Sequence, residues 1–83
     1  MAEVLVRYFA AAEEAAGGLE QEAFEFAPDA TLAELHAELV RRHGEPMARV
    51  LRSGSFLVDG IVRRGGDARL GPRVDVLPPF AGG

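Results

Sequence analysis

Apolar residues recur at alternate positions near the start of the chain, which predicts a β-strand over residues 3–9. One face of this segment carries Val4, Val6 and Tyr8, and the other carries Leu5, Arg7 and Phe9. Apolar side chains on both faces are typical of a strand in the interior of a sheet. Residues 21–27 also alternate, with Phe24 and Phe26 on one side, so they predict a half-buried second strand, antiparallel to the first.

A helical pattern follows the second strand. Thr31 and Glu34 have the spacing of a capping box, so the helix is predicted to begin at Leu32. Its predicted apolar stripe consists of Leu32, Leu35, Leu39 and Val40. The carbonyl end of a helix favours cations, and a run of three basic residues is found there: Arg41, Arg42 and His43. Gly44 is the predicted stop.

The segments after this helix are shorter. Apolar residues at helical spacing predict another short turn that starts at Pro46 and ends at Gly54. Asp59 and Gly60 separate two short apolar runs, and this dipeptide is the strongest sequence signal for a two-residue β-hairpin. Residues 74–77 predict a last strand.

These elements predict an α+β fold. Strands on either side of one long helix favour the β-grasp arrangement, a mixed sheet of four to five strands packed on one main helix. Residues 10–16 are rich in alanine and predict a single helical turn or a loop. The predicted domain spans residues 1–77, and residues 78–83 form a flexible C-terminal tail.

Composition narrows the possible functions. A chain of 83 residues suits one domain with a modest core, and the absence of cysteine excludes a disulfide framework and any thiolate site. The net charge of −4 argues against nucleic-acid binding, which requires a concentrated basic face. No apolar run reaches the roughly 20 residues of a membrane span. We therefore expect a cytoplasmic protein that binds neither nucleic acid nor a membrane.

The C-terminus carries the candidate chemistry. A terminal carboxylate is an anion at neutral pH and resists nucleophilic attack, so another enzyme must activate it, usually as a mixed anhydride with a nucleotide phosphate. Gly83 is the predicted reactive residue, because glycine lets the backbone enter a narrow channel. Consecutive prolines favour an extended conformation that reaches on the order of 19 Å beyond the fold. The predicted threading segment comprises Gly82, Ala81, Pro79 and Pro78.

A family resemblance rests on three segments. They are residues 4–10, residues 31–35 and residues 74–83, the last of which ends in the pattern Pro-Pro-x-x-Gly-Gly. Together they resemble the MoaD/ThiS family of ubiquitin-like sulfur carriers, and most of all the small subunit of molybdopterin synthase. The resemblance implies that an adenylating activating enzyme uses ATP to adenylate Gly83, and that a sulfur donor converts the acyl-adenylate to a thiocarboxylate.

The same resemblance implies the later steps and the partners. The carrier would donate its sulfur in molybdenum cofactor biosynthesis while bound to the large subunit of molybdopterin synthase. It would bind no cofactor itself and would not be an enzyme on its own. An exposed apolar patch on so small a protein usually marks an interface. The residues predicted to bind partners are Leu5, Phe9, Leu77 and Phe80, on or near the sheet face that the helix leaves uncovered.

Two other functions stay open on the sequence alone. One is a sulfur carrier of the thiamine or cysteine type, and the other is a ubiquitin-like modifier or interaction module that ligates or docks through the same tail. All nine basic residues are arginine, so an activated chain is not expected to form lysine-linked multimers of itself.

Other candidate sites are weak. His36 and His43 lie two helical turns apart, about 10 Å, which is too far for them to share one metal ion. We therefore predict no metal site. The glutamates at positions 20, 22 and 25 are expected to be solvated surface residues.

Overall fold

The computed structural model describes residues 1–63 and 65–78. Five strands and three helices follow one another along the chain. They are β1 (Ala2–Tyr8), α1 (Ala11–Ala15), β2 (Gln21–Phe26), α2 (Leu32–His43), α3 (Glu45–Ser53), β3 (Ser55–Val58), β4 (Ile61–Arg63) and β5 (Arg73–Leu77). Within the described ranges, no helix combines the length and the apolar character needed to cross a lipid bilayer.

The strands form one mixed sheet in the order β2-β1-β5-β3-β4. The first two strands pair antiparallel, β1 and β5 pair parallel, and β3 pairs antiparallel with both β5 and β4. The predicted α+β, β-grasp fold is therefore confirmed, with five strands. The first strand lies in the interior of the sheet, as its two apolar faces predicted.

The core lies between one face of the sheet and the helices. Its large members are Val4, Val6, Tyr8, Phe24, Leu32, Leu35, Leu39, Met47, Val58, Val74 and Val76. Three residues of the predicted helix stripe are fully buried, while Val40 is only half-buried. Because these side chains are tightly buried, truncation of a large one to alanine is expected to lower the free energy of unfolding by about 2–5 kcal/mol.

Helix α2 has the predicted ends. The amide of Thr31 donates to Oε2 of Glu34 at 2.8 Å, as part of the expected capping box. Gly44 ends the helix with a φ of 73°, a conformation that favours glycine. The same residue precedes α3, so the chain turns from one helix into the next without a linker.

Helix α3 occupies the span in which the sequence predicted a short turn at helical spacing, from Pro46 to Gly54. The structure has a regular helix of nine residues there, Glu45–Ser53. Met47 is completely buried, and Val50 and Leu51 pack against the core. Tertiary packing of this apolar face stabilises a helix that its length alone would leave marginal.

The hairpin between β3 and β4 forms where the sequence predicted it. Asp59 and Gly60 have φ angles of 50° and 83°, the sign that a type I′ turn requires at both central positions. The short strand β4 lies at the edge of the sheet, and all three of its residues are exposed.

Candidate functional site: the root of the C-terminal tail and the open face of the sheet

The tail leaves the body from the central strand of the sheet. β5 is held by β1 on one side and by β3 on the other, and its last residue, Leu77, pairs with Ser55. On the other side, the amide of Phe9 donates to the carbonyl oxygen of Val76 at 3.3 Å. The backbone that leads into the tail is therefore fixed by hydrogen bonding on both sides, and Pro78 follows it as a half-buried residue.

Gly54 packs directly against this root. A Cβ at this position would lie 2.3 Å from the carbonyl oxygen of Leu77 and 2.9 Å from that of Val50. The backbone of Gly54 is extended, with φ −86° and ψ −169°, so close approach and not a left-handed conformation requires glycine here. The sequence indicated this residue only as the end of a turn, because its contact with Leu77 spans 23 positions along the chain.

The sheet face opposite the helices is open. Leu5, Arg7 and Asp75 lie on this face, because they alternate with core residues along their strands. Asp75 is nevertheless only 8% exposed. Arg7 binds Asp75 through two hydrogen bonds, from Nε to Oδ1 at 2.8 Å and from Nη2 to Oδ2 at 3.0 Å. These bonds raise the pKa of the arginine above its ordinary value. The register places further charged residues on this face, namely Glu3, Glu25 and Arg73.

Phe9 continues the open face toward the tail. Its ring is 39% exposed, and the guanidinium carbon of Arg7 lies 5.4 Å from the ring centroid, a cation–π distance. The strand register adds two residues that the sequence did not single out: Leu57, opposite Asp75, and Val62, opposite Leu57. Val62 is 51% exposed. We call Leu5, Phe9, Leu57, Val62 and Leu77 the open-face patch.

The structure thus brings three of the four predicted partner-binding residues to one face, namely Leu5, Phe9 and Leu77. The fourth, Phe80, lies outside the described residues. The predicted reactive and threading residues Pro79, Ala81, Gly82 and Gly83 also lie outside them, so only Pro78 of that segment has a described position. The roles of all these residues stay predictions.

A polar cluster on the helix side was missed by the sequence analysis. Oε1 of Glu22 accepts from the Tyr8 hydroxyl at 2.7 Å and lies 2.8 Å from Nε2 of His43, while Oε2 accepts from Arg42 at 3.1 Å. The expectation that Glu22 is a solvated surface residue is therefore wrong. The partners are 14 to 21 positions away in sequence, so local pattern could not indicate them.

This cluster changes the protonation of its members. Burial would raise the pKa of Glu22, but hydrogen bonds from Tyr8, His43 and Arg42 outweigh it and lower the pKa below its ordinary value. Burial, together with the hydrogen bond to Glu22, raises the pKa of Tyr8. Glu22 therefore stays ionised and ties the end of α2 to β1 and β2. In the part of the chain that the structure describes, no three His, Cys, Asp or Glu side chains are grouped as metal ligands would be.

Comparison with known proteins adds the family. Residues 6–83 match the model of the ThiS family. A Pyrococcus furiosus protein provisionally assigned as molybdopterin converting factor, subunit 1, shares the fold with a TM-score of 0.80 and 26% identity, over 96% of this chain and all of that one. The small archaeal modifier protein 1 of Haloferax volcanii has a TM-score of 0.77 at 24% identity, over 96% of this chain and all of its own. No curated protein matched the sequence.

Proposed function

The chain belongs to the ThiS family of ubiquitin-like sulfur carriers, and we propose that it carries sulfur as a thiocarboxylate on Gly83 for molybdopterin synthesis. The observation that carries this proposal is the extent of the family match, which runs through residue 83 and so includes the terminal Gly-Gly. The similarity to the Pyrococcus furiosus protein supports the choice of molybdopterin over other sulfur acceptors.

The chemistry needs two steps on the terminal carboxylate. An oxygen of the Gly83 carboxylate attacks the α-phosphorus of ATP in the active site of an adenylating enzyme, and pyrophosphate leaves. Hydrosulfide, or a donor that supplies it, then attacks the carbonyl carbon, and AMP leaves with the bonding electron pair. The product is a thiocarboxylate, a better nucleophile than the carboxylate it replaces. The carrier would then donate this sulfur to molybdopterin synthesis while bound to the large subunit of molybdopterin synthase.

The geometry supports different roles for the folded body, which binds partners, and for the tail, which carries the reactive carboxylate. The body holds the start of the tail in the central strand, and Pro78 restricts the direction in which the chain departs. The partner has to hold the carrier by more than two glycines, and the open-face patch offers a surface next to the tail root. Carriers of this family interact with activating enzymes and partner subunits, and we propose that this patch is where they dock.

The proposal is tested by intact mass. The full chain is incubated with an adenylating enzyme of this family, ATP and sulfide, and the expected product has gained the mass of one oxygen-to-sulfur exchange at its C-terminus. The matched control is a chain extended by one alanine, which has no free Gly83 carboxylate. Normal thiocarboxylate formation on the extended chain, without prior trimming, would contradict the proposal.

A second candidate is a protein modifier. The same acyl-adenylate yields an isopeptide when a lysine amine captures it, and the shared tail does not distinguish the two outcomes. The chain has no lysine, so its N-terminal amine is the one amine through which it could be joined to itself. Conjugates to other proteins, found by mass spectrometry after activation in a cell extract, would favour the modifier. Transfer of sulfur to a thiamine or cysteine precursor would favour the other types of carrier.

A further inference from the structure

A groove opens on the helix side of the sheet, between α2, α3 and the β3–β4 hairpin. Its volume is about 530 Å³. The polar residues that line it are His36, Arg52, Ser53, Ser55 and Arg63. Leu32, Leu51 and Phe56 supply apolar walls. The groove therefore combines apolar walls with several hydrogen-bond donors.

The charge of the groove is opposite to that of the protein. The chain carries 13 acidic and nine basic residues, yet none of the described residues that line the groove is acidic. Arg63 forms no ion pair with any carboxylate of the described residues. Arg52 pairs with Glu45 at 3.0 Å, but both side chains are 62% exposed. Exposed pairs of this kind contribute little to stability, so a carboxylate of a ligand can replace Glu45 as the partner of Arg52 at a small cost in free energy.

The groove begins beside the tail root. Ser55, which lines it, pairs with Leu77, and the neighbouring Gly54 contacts the carbonyl of Leu77. The carbonyl end of α3 also points here and would oppose an anion, but the amide of Gly54 donates to the carbonyl of Val50 at 2.8 Å and reduces that effect. A partner that takes up the tail would therefore pass close to this cationic surface.

We propose that the groove binds an acidic segment of a protein partner, as a second docking surface on the side of the sheet opposite the open-face patch. The inference rests on the proposed function only in that the partner is one that takes up the tail. The net charge of −4 repels an acidic partner at long range, but charges are screened beyond about 8 Å at physiological ionic strength, so the local cations decide. The two arginines of the groove are too few for nucleic acid, which is bound through many phosphate contacts.

The test is an NMR titration of the ¹⁵N-labelled full-length chain with a hexapeptide of glutamate. We expect salt-dependent shifts at the amides of residues 52–56 and at the side chains of Arg52 and Arg63. The double variant R52Q/R63Q should bind the peptide roughly tenfold more weakly, because it loses two ion pairs. The matched control is R49Q/R69Q, which removes the same charge at two exposed arginines outside the groove and should bind like the parent.

Three results would overturn the inference. One is a pattern of shifts away from the groove, and another is equal weakening in both double variants. The third is tighter binding of inorganic phosphate or of a short RNA oligonucleotide than of the peptide, at equal salt. Failure of the inference is distinguishable from failure of the proposed function, because the titration needs no activation of Gly83 and the mass assay needs no acidic peptide.

Discussion

The two faces of β5 differ in what they contact. On the helix side, Val74 and Val76 are 0% and 1% exposed and belong to the apolar core. On the open side, Asp75 is bound to Arg7, and Leu77 is half-buried with no helix above it. One strand therefore joins a face that is closed by packing to a face that none of the three helices covers.

This difference predicts that residues on the helix side determine folding stability, while residues on the open side determine partner binding. Burial of apolar surface is the main source of folding free energy, so residues on the helix side should control stability. Residues on the open side are half-exposed and contribute less to folding, but they are available for docking. Four substitutions probe this contrast, from the largest expected effect on stability to the smallest.

The largest effect is expected from Leu35→Ala. Leu35 is 0% exposed in the centre of α2, and its replacement leaves a cavity that the sheet and α3 cannot fill. The free energy of unfolding should fall by about 2–5 kcal/mol. Urea denaturation measures it, with Leu5→Ala on the open face as the matched leucine truncation. An equal loss in both variants would remove the distinction between the faces.

Gly54→Ala should come next, because the new Cβ would lie 2.3 Å from a backbone oxygen that cannot rotate away. Overpacking of this kind costs about 1–3 kcal/mol. The displaced Leu77 carbonyl should also redirect the tail, so kcat of adenylation should fall while KM, set by docking, changes little.

The matched control is Gly66→Ala, whose Cβ would approach the Ala33 side chain at 3.3 Å and should have a much smaller effect. If Gly54→Ala adenylates normally once it is folded, Gly54 acts on stability alone and does not position the tail.

Glu22→Gln should have a moderate effect that depends on pH. The pKa of Glu22 is lower in the folded chain than its ordinary value of 4.5, so its ionised form stabilises the fold above that pH. This contribution is lost as the pH falls below about 4.5 through the folded-state pKa. Near neutral pH, Glu22→Gln should lower the free energy of unfolding by about 1–3 kcal/mol. In acid, the stability of the variant should fall less steeply than that of the parent.

Thermal unfolding between pH 3 and pH 7 measures this dependence, with the exposed neighbour Glu25→Gln as the control for charge. If the melting temperatures of the parent and Glu22→Gln changed with pH in the same way, protonation of Glu22 would not be coupled to folding.

The sequence predicted the elements whose signals are local. The Thr31–Glu34 capping box and the Asp59–Gly60 turn lie within four residues, and both form as expected. The alternation of residues 3–9 likewise indicated an interior strand, because the side chains of a buried strand must be apolar on both faces.

What the sequence could not predict depends on contacts between distant residues. Gly54 is needed because of Leu77, and Glu22 is half-buried because α2 ends above it. The span of α3 followed from apolar residues at helical spacing, but its regular helical form depends on packing against the core. The open-face patch could be predicted in part. The alternation of β1 assigns Leu5 and Phe9 to one face, but only the register of the β3–β4 hairpin shows that Leu57 and Val62 share it.

The smallest effect on stability is expected from Phe9→Ala, which should nevertheless give the clearest effect on recognition. Phe9 is 39% exposed and does not belong to the core cluster, so its truncation should lower the melting temperature less than the other three substitutions do. Aromatic residues at the centre of an interface often contribute more than 1 kcal/mol to binding, and about 1.4 kcal/mol corresponds to a tenfold change in affinity. We therefore expect the KM of the adenylating enzyme for the variant to rise roughly tenfold. The matched control is Ile61→Ala, since Ile61 is 54% exposed but pairs with the core residue Val58, on the face of the sheet opposite the open-face patch. A rise of the same size for Ile61→Ala, or none for Phe9→Ala, would show that the open face does not dock the enzyme and that its exposed side chains have no such role.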